Sequence, residues 1–290
     1  MTVDFHTHTF PARIAASAIA GLREKSGTEN FLDGTEAALS ASCHAAGVDL
    51  AVILPVVTNP QSAEKINLHA SELNSHTAET RLLSFGGIHP DTPDCKGVIA
   101  RAAALGLKGI KLHPPYQGVP FDDIRYKNIL YEAESHGLVT LFHAGIDIGI
   151  PGQFCTPAMI LSVMREVAPV RLVAAHMGGW AMWGEAMSLL AGDPACAALY
   201  LDTAFSFGAL PYRPEVPAGK RLSLLTEEAF VSFIRAKGSE KVLFGTDSPW
   251  AGQKQQLALF DRLPLTAEEK KAVLGENAAR LLSSVPSPVR

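Results

Sequence analysis

The sequence has little cysteine, no clustered charge and no long apolar run. Its 290 residues include four cysteines, Cys43, Cys95, Cys155 and Cys196. None falls in a C-x-x-C pair and no spacing matches a zinc finger, which argues against a disulfide framework or a thiolate zinc module. They read as reduced, mostly buried thiols of a cytosolic protein. Lys and Arg are scattered and the formal net charge is −4, so no basic surface for nucleic acid is expected. No apolar stretch reaches about 18 residues, which speaks against a membrane span. No basic-then-apolar leader opens the chain. The expectation is a soluble, cytoplasmic protein without a nucleic-acid or membrane partner. Assembly into a homo-oligomer is left open.

Internal repeats and long linkers are also missing. With 47% hydrophobic residues, the chain is long enough for a large core, and one domain over residues 1–290 is the expected organisation. Short apolar runs alternate with amphipathic stretches. Eight strands are expected: Val3–Thr9, Leu50–Val57, Leu82–His89, Leu107–His113, Leu138–Ala144, Val170–His176, Ala198–Thr203 and Lys241–Asp247. Most are continuous apolar runs, as in parallel strands buried on both faces. The helices expected between them are Thr35–Ala46, Gln61–Thr80, Asp122–His136, Pro157–Val167 and Thr226–Lys237. A capping box, Thr266–Glu269, launches a C-terminal helix. Pro11–Gly34 and Phe205–Arg221 read as irregular loops. Eight strand–helix units in under 300 residues predict an α/β fold, a (β/α)8 TIM barrel. A doubly wound open sheet is the alternative, but no G-x-G-x-x-G follows the first strand.

Polar residues end these strands repeatedly. The first strand carries His6 and His8 in "VDFHTHTF", two apart and so on one face. The third ends at His89, and the fourth carries Lys111 and His113. His143, His176, Asp202 and Asp247 end the fifth to eighth. Packing does not explain such a series. In a barrel these residues converge on the C-terminal face. Two imidazoles from strand one, a third from strand five and a carboxylate from strand eight suit a divalent metal. His44, His69, His76 and His136 fall on expected helices and read as surface residues.

The segments "DFHTHTFP", "GIHPD", "KGIKLHPPYQG", "LFHAGIDIG", "AAHMGGW", "LDTAF" and "LFGTDSPW" together resemble the amidohydrolase superfamily. The likeness is to its amidohydrolase-2 branch of TIM-barrel metal-dependent hydrolases, which includes aminocarboxymuconate semialdehyde decarboxylase-like enzymes. The resemblance implies one Zn2+, or another divalent transition metal, held by His6, His8, His143 and Asp247. It implies catalytic roles for Asp247 and His176. A second metal with a carboxylated Lys111 is the binuclear alternative. Lys111, His113 and His89 are weaker candidates for binding a small, carboxylate-bearing substrate. Three functions compete: a hydrolase of a C–O or C–N bond, a non-oxidative decarboxylase at the same site, and a metal-binding protein without activity.

Overall fold

A computed structural model describes residues 1–75 and 82–286 of the chain. Its strands are β1 (Val3–Thr7), β2 (Leu50–Ile53), β3 (Leu82–Ser84), β4 (Gly86–Gly87), β5 (Gly109–Leu112), β6 (Val139–Phe142), β7 (Leu172–Ala174), β8 (Tyr200–Asp202) and β9 (Val242–Leu243). Among the described residues all ladders are parallel, in the orders β1-β2-β3 and β4-β5-β6-β7-β8-β9. The fold is a (β/α)8 barrel, with β3 and β4 as two halves of the third strand. The expected strand Leu82–His89 is thus corrected. The chain leaves one ladder and enters the next at Phe85, whose N–H donates to Ile53 O at 2.9 Å. No ladder joins β9 to β1, but Phe5 N–H to Phe244 O (2.8 Å), Asp247 N–H to His6 O (2.8 Å) and a Thr7–Ser248 bridge cross that seam.

The helices are α1 (Ala12–Ser26), α2 (Glu36–Ala46), α3 (Ala63–Ser75), α4 (Cys95–Ala104), α5 (Pro114–Gln117), α6 (Ile124–Ser135), α7 (Pro157–Glu166), α8 (Trp183–Ala186), α9 (Glu227–Lys237), α10 (Gln253–Asp261), α11 (Ala267–Lys271) and α12 (Asn277–Ser283). Their ends follow local chemistry. Thr35, Thr156 and Thr226 cap α2, α7 and α9 by accepting a backbone N–H, and Gly47 closes α2 at φ 72°. The Thr266–Glu269 capping box forms at the start of α11. One expectation fails clearly. The Pro11–Gly34 segment, read as irregular, holds the fifteen-residue helix α1, which turns Ala15 and Ile19 inward. Pro11 precedes the helix and Gly27 closes it at φ 68°, while Gly21 is accommodated inside it. The tail of the expected Gln61–Thr80 helix, and His76, lie outside the described residues.

Alternation along the strands divides the core. Val3, Phe5, Val52, Phe85, Leu141 and Val173 fill the barrel, and Ala278, Leu281 and Val285 join them from the C-terminal segment. Ile110, Leu112, Phe142 and Ala174 point outward into the helical layer. Lys111 lies between two outward residues, so its side chain enters the barrel. The two segments read as loops, Pro11–Gly34 and Phe205–Arg221, meet each other. Thr28 bridges to Tyr212, and Glu29 N–H donates to Pro211 O at 2.7 Å.

Candidate metal centre

Four imidazoles and one carboxylate gather where β1, β6, β7 and β9 run out. His6 Nε2 lies 3.1 Å from His8 Nε2. Asp247 Oδ1 is 3.2 Å from His8 Nε2 and 3.5 Å from His6 Nε2. His176 Nε2 is 3.1 Å from His143 Nδ1. The His6 and His176 rings are 5.1 Å apart, centre to centre. His6, His176 and Asp247 form the compact group, each with a ligand atom within 4.8 Å of the others.

The second nitrogen of each ring fixes its tautomer. A carbonyl only accepts, so the facing nitrogen carries the proton. His8 Nδ1–H donates to Leu54 O (2.8 Å), His176 Nδ1–H to Ala204 O (2.8 Å) and His143 Nε2–H to Ile146 O (3.2 Å). His6 Nδ1–H donates to Asp202 Oδ2 at 2.8 Å. The remaining nitrogens, His6 Nε2, His8 Nε2, His176 Nε2 and His143 Nδ1, are therefore lone pairs turned toward one another and toward Asp247. Acceptors held about 3 Å apart with no proton between them repel. Burial, reinforced by the Lys111 charge, holds His6 well below the usual imidazole range. Burial and then His176 do the same to His143. Burial disfavours relieving the repulsion by protonating His6 or His143, and a cation relieves it without a proton. The residues fit a divalent transition metal, whose ligands are neutral imidazole and carboxylate and whose histidines donate their other nitrogen to an oxygen.

The backbone is forced where two of these residues stand. His176 and Asp247 have φ of 56° and 63°, left-handed values that non-glycine residues seldom adopt. Trp183 Nε1–H holds the His176 carbonyl at 2.9 Å. Asp202 accepts the His176 backbone N–H at 2.9 Å while also orienting His6, so one carboxylate aims two imidazoles. Burial raises Asp202 to about 6, opposed by His176 and Lys111.

The weaker candidates separate. Lys111 is 1% exposed, in register with Gly87 and Leu141. Burial lowers it to about 8 against the pull of Asp202 and Asp247. His113 stacks on His143 with centroids 4.4 Å apart, and its Nε2 is 3.7 Å from Asp147 Oδ2. His113, His143 and Asp147 group like a second set of ligands. However, His113 Nδ1 accepts the Tyr116 N–H at 3.4 Å, which leaves the proton on Nε2 facing Asp147. A ring N–H turned on the carboxylate does not suit a second metal cage. His89 is turned into a local loop, where its Nδ1 accepts the Asp91 N–H at 3.0 Å. No hydrogen bond or ion pair joins it to the cluster among the described residues. Asp147, part of "GIDIG", was given no role by sequence reasoning. It lies two residues after Gly145 in a loop, and its burial and its place beside His113 reveal it: desolvation raises it to about 6.

A family model described as amidohydrolase matches residues 3–283. The chain belongs to the amidohydrolase family. No curated protein matches at the sequence level. Solved structures do. An uncharacterised TIM-barrel protein, Bb4693 from Bordetella bronchiseptica, is 17% identical with a TM-score of 0.72, covering 98% of this chain and 99% of its own. A protein described as a 2-pyrone-4,6-dicarboxylic acid hydrolase from Pseudomonas putida is 17% identical with a TM-score of 0.64, over 99% and 98%. The 5-carboxyvanillate decarboxylase LigW2 of Novosphingobium aromaticivorans, with bound manganese, is 15% identical with a TM-score of 0.67, over 98% and 97%. At such identities the likeness shows the fold. The amidohydrolase fold carries both hydrolases and decarboxylases among these neighbours.

The amidohydrolase site depends on one close backbone approach. Gly145, which follows His143 by two residues, has φ 91°, and a Cβ there would lie 2.1 Å from Trp180 N. It bridges to Trp180, pinning the loop after β6 to the loop after β7. Gly145→Ala is expected to destabilise the fold by on the order of 3 kcal/mol. Urea unfolding checks this; an unchanged midpoint would show that the two loops separate freely.

Proposed function

We propose that this protein is a cytoplasmic, single-domain, metal-dependent hydrolase acting on a C–O or C–N bond of a small, carboxylate-bearing substrate. One observation carries the reading: five acceptor atoms converge with their tautomers fixed from outside and no proton between them. His6, His8, His143 and Asp247 hold one Zn2+ or similar ion in this proposal. When bound, the ion acidifies water to a pKa of about 7 and polarises a carbonyl oxygen. Asp247 takes the proton of the attacking water at its free oxygen and delivers it to the leaving group. His176, held at both Nδ1 and backbone N–H, presents the Nε2 lone pair toward the substrate as a base, and once it has taken a proton there it can donate to the developing oxyanion. Lys111 offers a buried ammonium to the substrate carboxylate, which would add to the partial offset of its burial cost by Asp202 and Asp247.

A decarboxylase at the same site is the second reading. It is favoured by enclosure: His176 is 3% exposed and Asp247 8%, so bulk water is kept from a carbanion until a chosen group protonates it. The test is metal analysis followed by a screen of lactones, amides and aromatic or unsaturated carboxylates, with CO2 measured alongside hydrolysis. About one equivalent of metal and turnover without CO2 supports hydrolysis. CO2 release supports the lyase. Metal without any turnover supports a binding protein, and two equivalents with a carboxylated Lys111 support the binuclear form.

A further inference from the structure

Strand β1 breaks its own alternation. Val3 and Phe5 face the barrel interior. Asp4 faces the helical layer, where Gln253 at the start of α10 donates Nε2–H to its Oδ2 at 3.0 Å. The Gln253 amide is oriented by Ser42 of α2, whose hydroxyl donates to Oε1 at 2.5 Å. Regular pleating would send His6 to the same side as Asp4, away from the site. It points inward instead, against His8 and Asp247. The register with β2 shifts between Asp4 and Thr7, which is where the strand bulges. Bulges re-aim side chains and free a backbone N–H from the ladder.

Asp4 supplies what the bulge lacks. Its Oδ1 accepts the His6 backbone N–H at 3.3 Å, closing a two-residue turn. The same oxygen accepts the backbone N–H of Thr246 at 3.0 Å, and Oδ2 accepts the Thr246 hydroxyl at 2.6 Å. Thr246 immediately precedes Asp247. One fully buried carboxylate thus grips the backbone of His6 and the neighbour of Asp247, across the seam where no ladder joins β9 to β1. A tie that served only to fasten α10 to the barrel would need Oδ2 alone. Oδ1 is spent entirely on the two segments that present the His-x-His pair and Asp247.

We propose that Asp4 is the positioning residue of the metal centre: its carboxylate turns His6 into the barrel and sets the spacing between His6, His8 and Asp247. The inference rests on the metal reading above. The experiment measures Co2+ dissociation constants and the visible absorption of the Co2+-loaded full chain, with folding followed by circular dichroism. Asp4→Ala is expected to weaken Co2+ binding about 10- to 100-fold, the scale for groups that orient ligands, and to change the absorption band. Asp4→Asn keeps an oxygen for both backbone N–H groups, and Gln253 and Thr246 can reorient around its amide; it is expected to bind like the wild type. Gln253→Ala removes the outward anchor alone and is expected to lower the melting temperature without altering the band. If Asp4→Ala does not fold, Asp4→Glu replaces it, since the longer side chain reaches Gln253 but cannot close the turn, and the same weakening is expected. An unchanged band and dissociation constant in Asp4→Ala or Asp4→Glu overturns the proposal, as does equal loss of Co2+ in Gln253→Ala. A wild-type chain that binds no Co2+ overturns the metal reading as well as this one.

Discussion

His8→Ala is expected to strip the metal from the protein while leaving it folded. The side chain lies just beyond the last ladder residue of β1 and is half-buried, with its ring against that of His6. Its structural cost is one hydrogen bond to Leu54 O, about 1 kcal/mol. Its cost to the site is larger. His8 Nε2 faces both His6 Nε2 and Asp247 Oδ1, so it closes the innermost triangle of acceptors. Removing a group that merely orients a ligand weakens metal binding about 10- to 100-fold, so removing a donor should exceed about 100-fold. Metal analysis after gel filtration reads the result, and thermal melting confirms the fold. A variant that keeps its full complement of metal would show that His6 and His8 are not ligands, whatever their geometry.

The second large effect is expected at His176. His176→Asn should keep the metal and lose on the order of 10²–10⁴ in turnover. Asparagine is a suitable replacement because it tolerates left-handed backbone, which the φ of 56° demands. It is too short to occupy the place of Nε2 beside His143. The competing assignment exchanges the two histidines and draws on the compactness of the His6, His176 and Asp247 group. In that case His176→Asn empties the site, and His143→Asn retains metal. Measuring metal content and turnover in both variants separates the roles. Unchanged turnover in His176→Asn, with metal retained, would leave the chemistry to Asp247 alone. The substrate found in the carboxylate screen is the assay.

Much of the barrel was legible because parallel strands buried on both faces must be apolar throughout. Runs such as Val139–Phe142 and Leu172–Ala174 therefore announced themselves. Their boundaries were less legible. The expected strand Lys241–Asp247 has ladder pairing only over Val242–Leu243, because Phe244 N–H turns to Val273 O in a C-terminal helical turn and the residues after it bond to Thr203 and to β1. The split at Phe85 could not be read at all. It depends on which neighbour each half of the strand meets, and that is a property of the closed topology.

The sequence by itself determined which residues could carry chemistry. A polar side chain at the end of an apolar strand has few reasons to be there, so His6, His8, Lys111, His143, His176 and Asp247 stood out. Tertiary structure alone decided how they are used. Imidazole protonation follows from the oxygen behind each ring, and Leu54, Ala204 and Asp202 are distant in sequence from His8, His176 and His6, which they orient; only Ile146 is a near neighbour of its ring, His143. The pairing of His113 with Asp147, and the withdrawal of His89 into a local turn, depend on loops whose paths no periodicity encodes. The inward turn of His6 runs against the two-residue period of its own strand. It requires a carboxylate two residues back and a threonine 240 residues onward, brought together only when the last strand returns to the first.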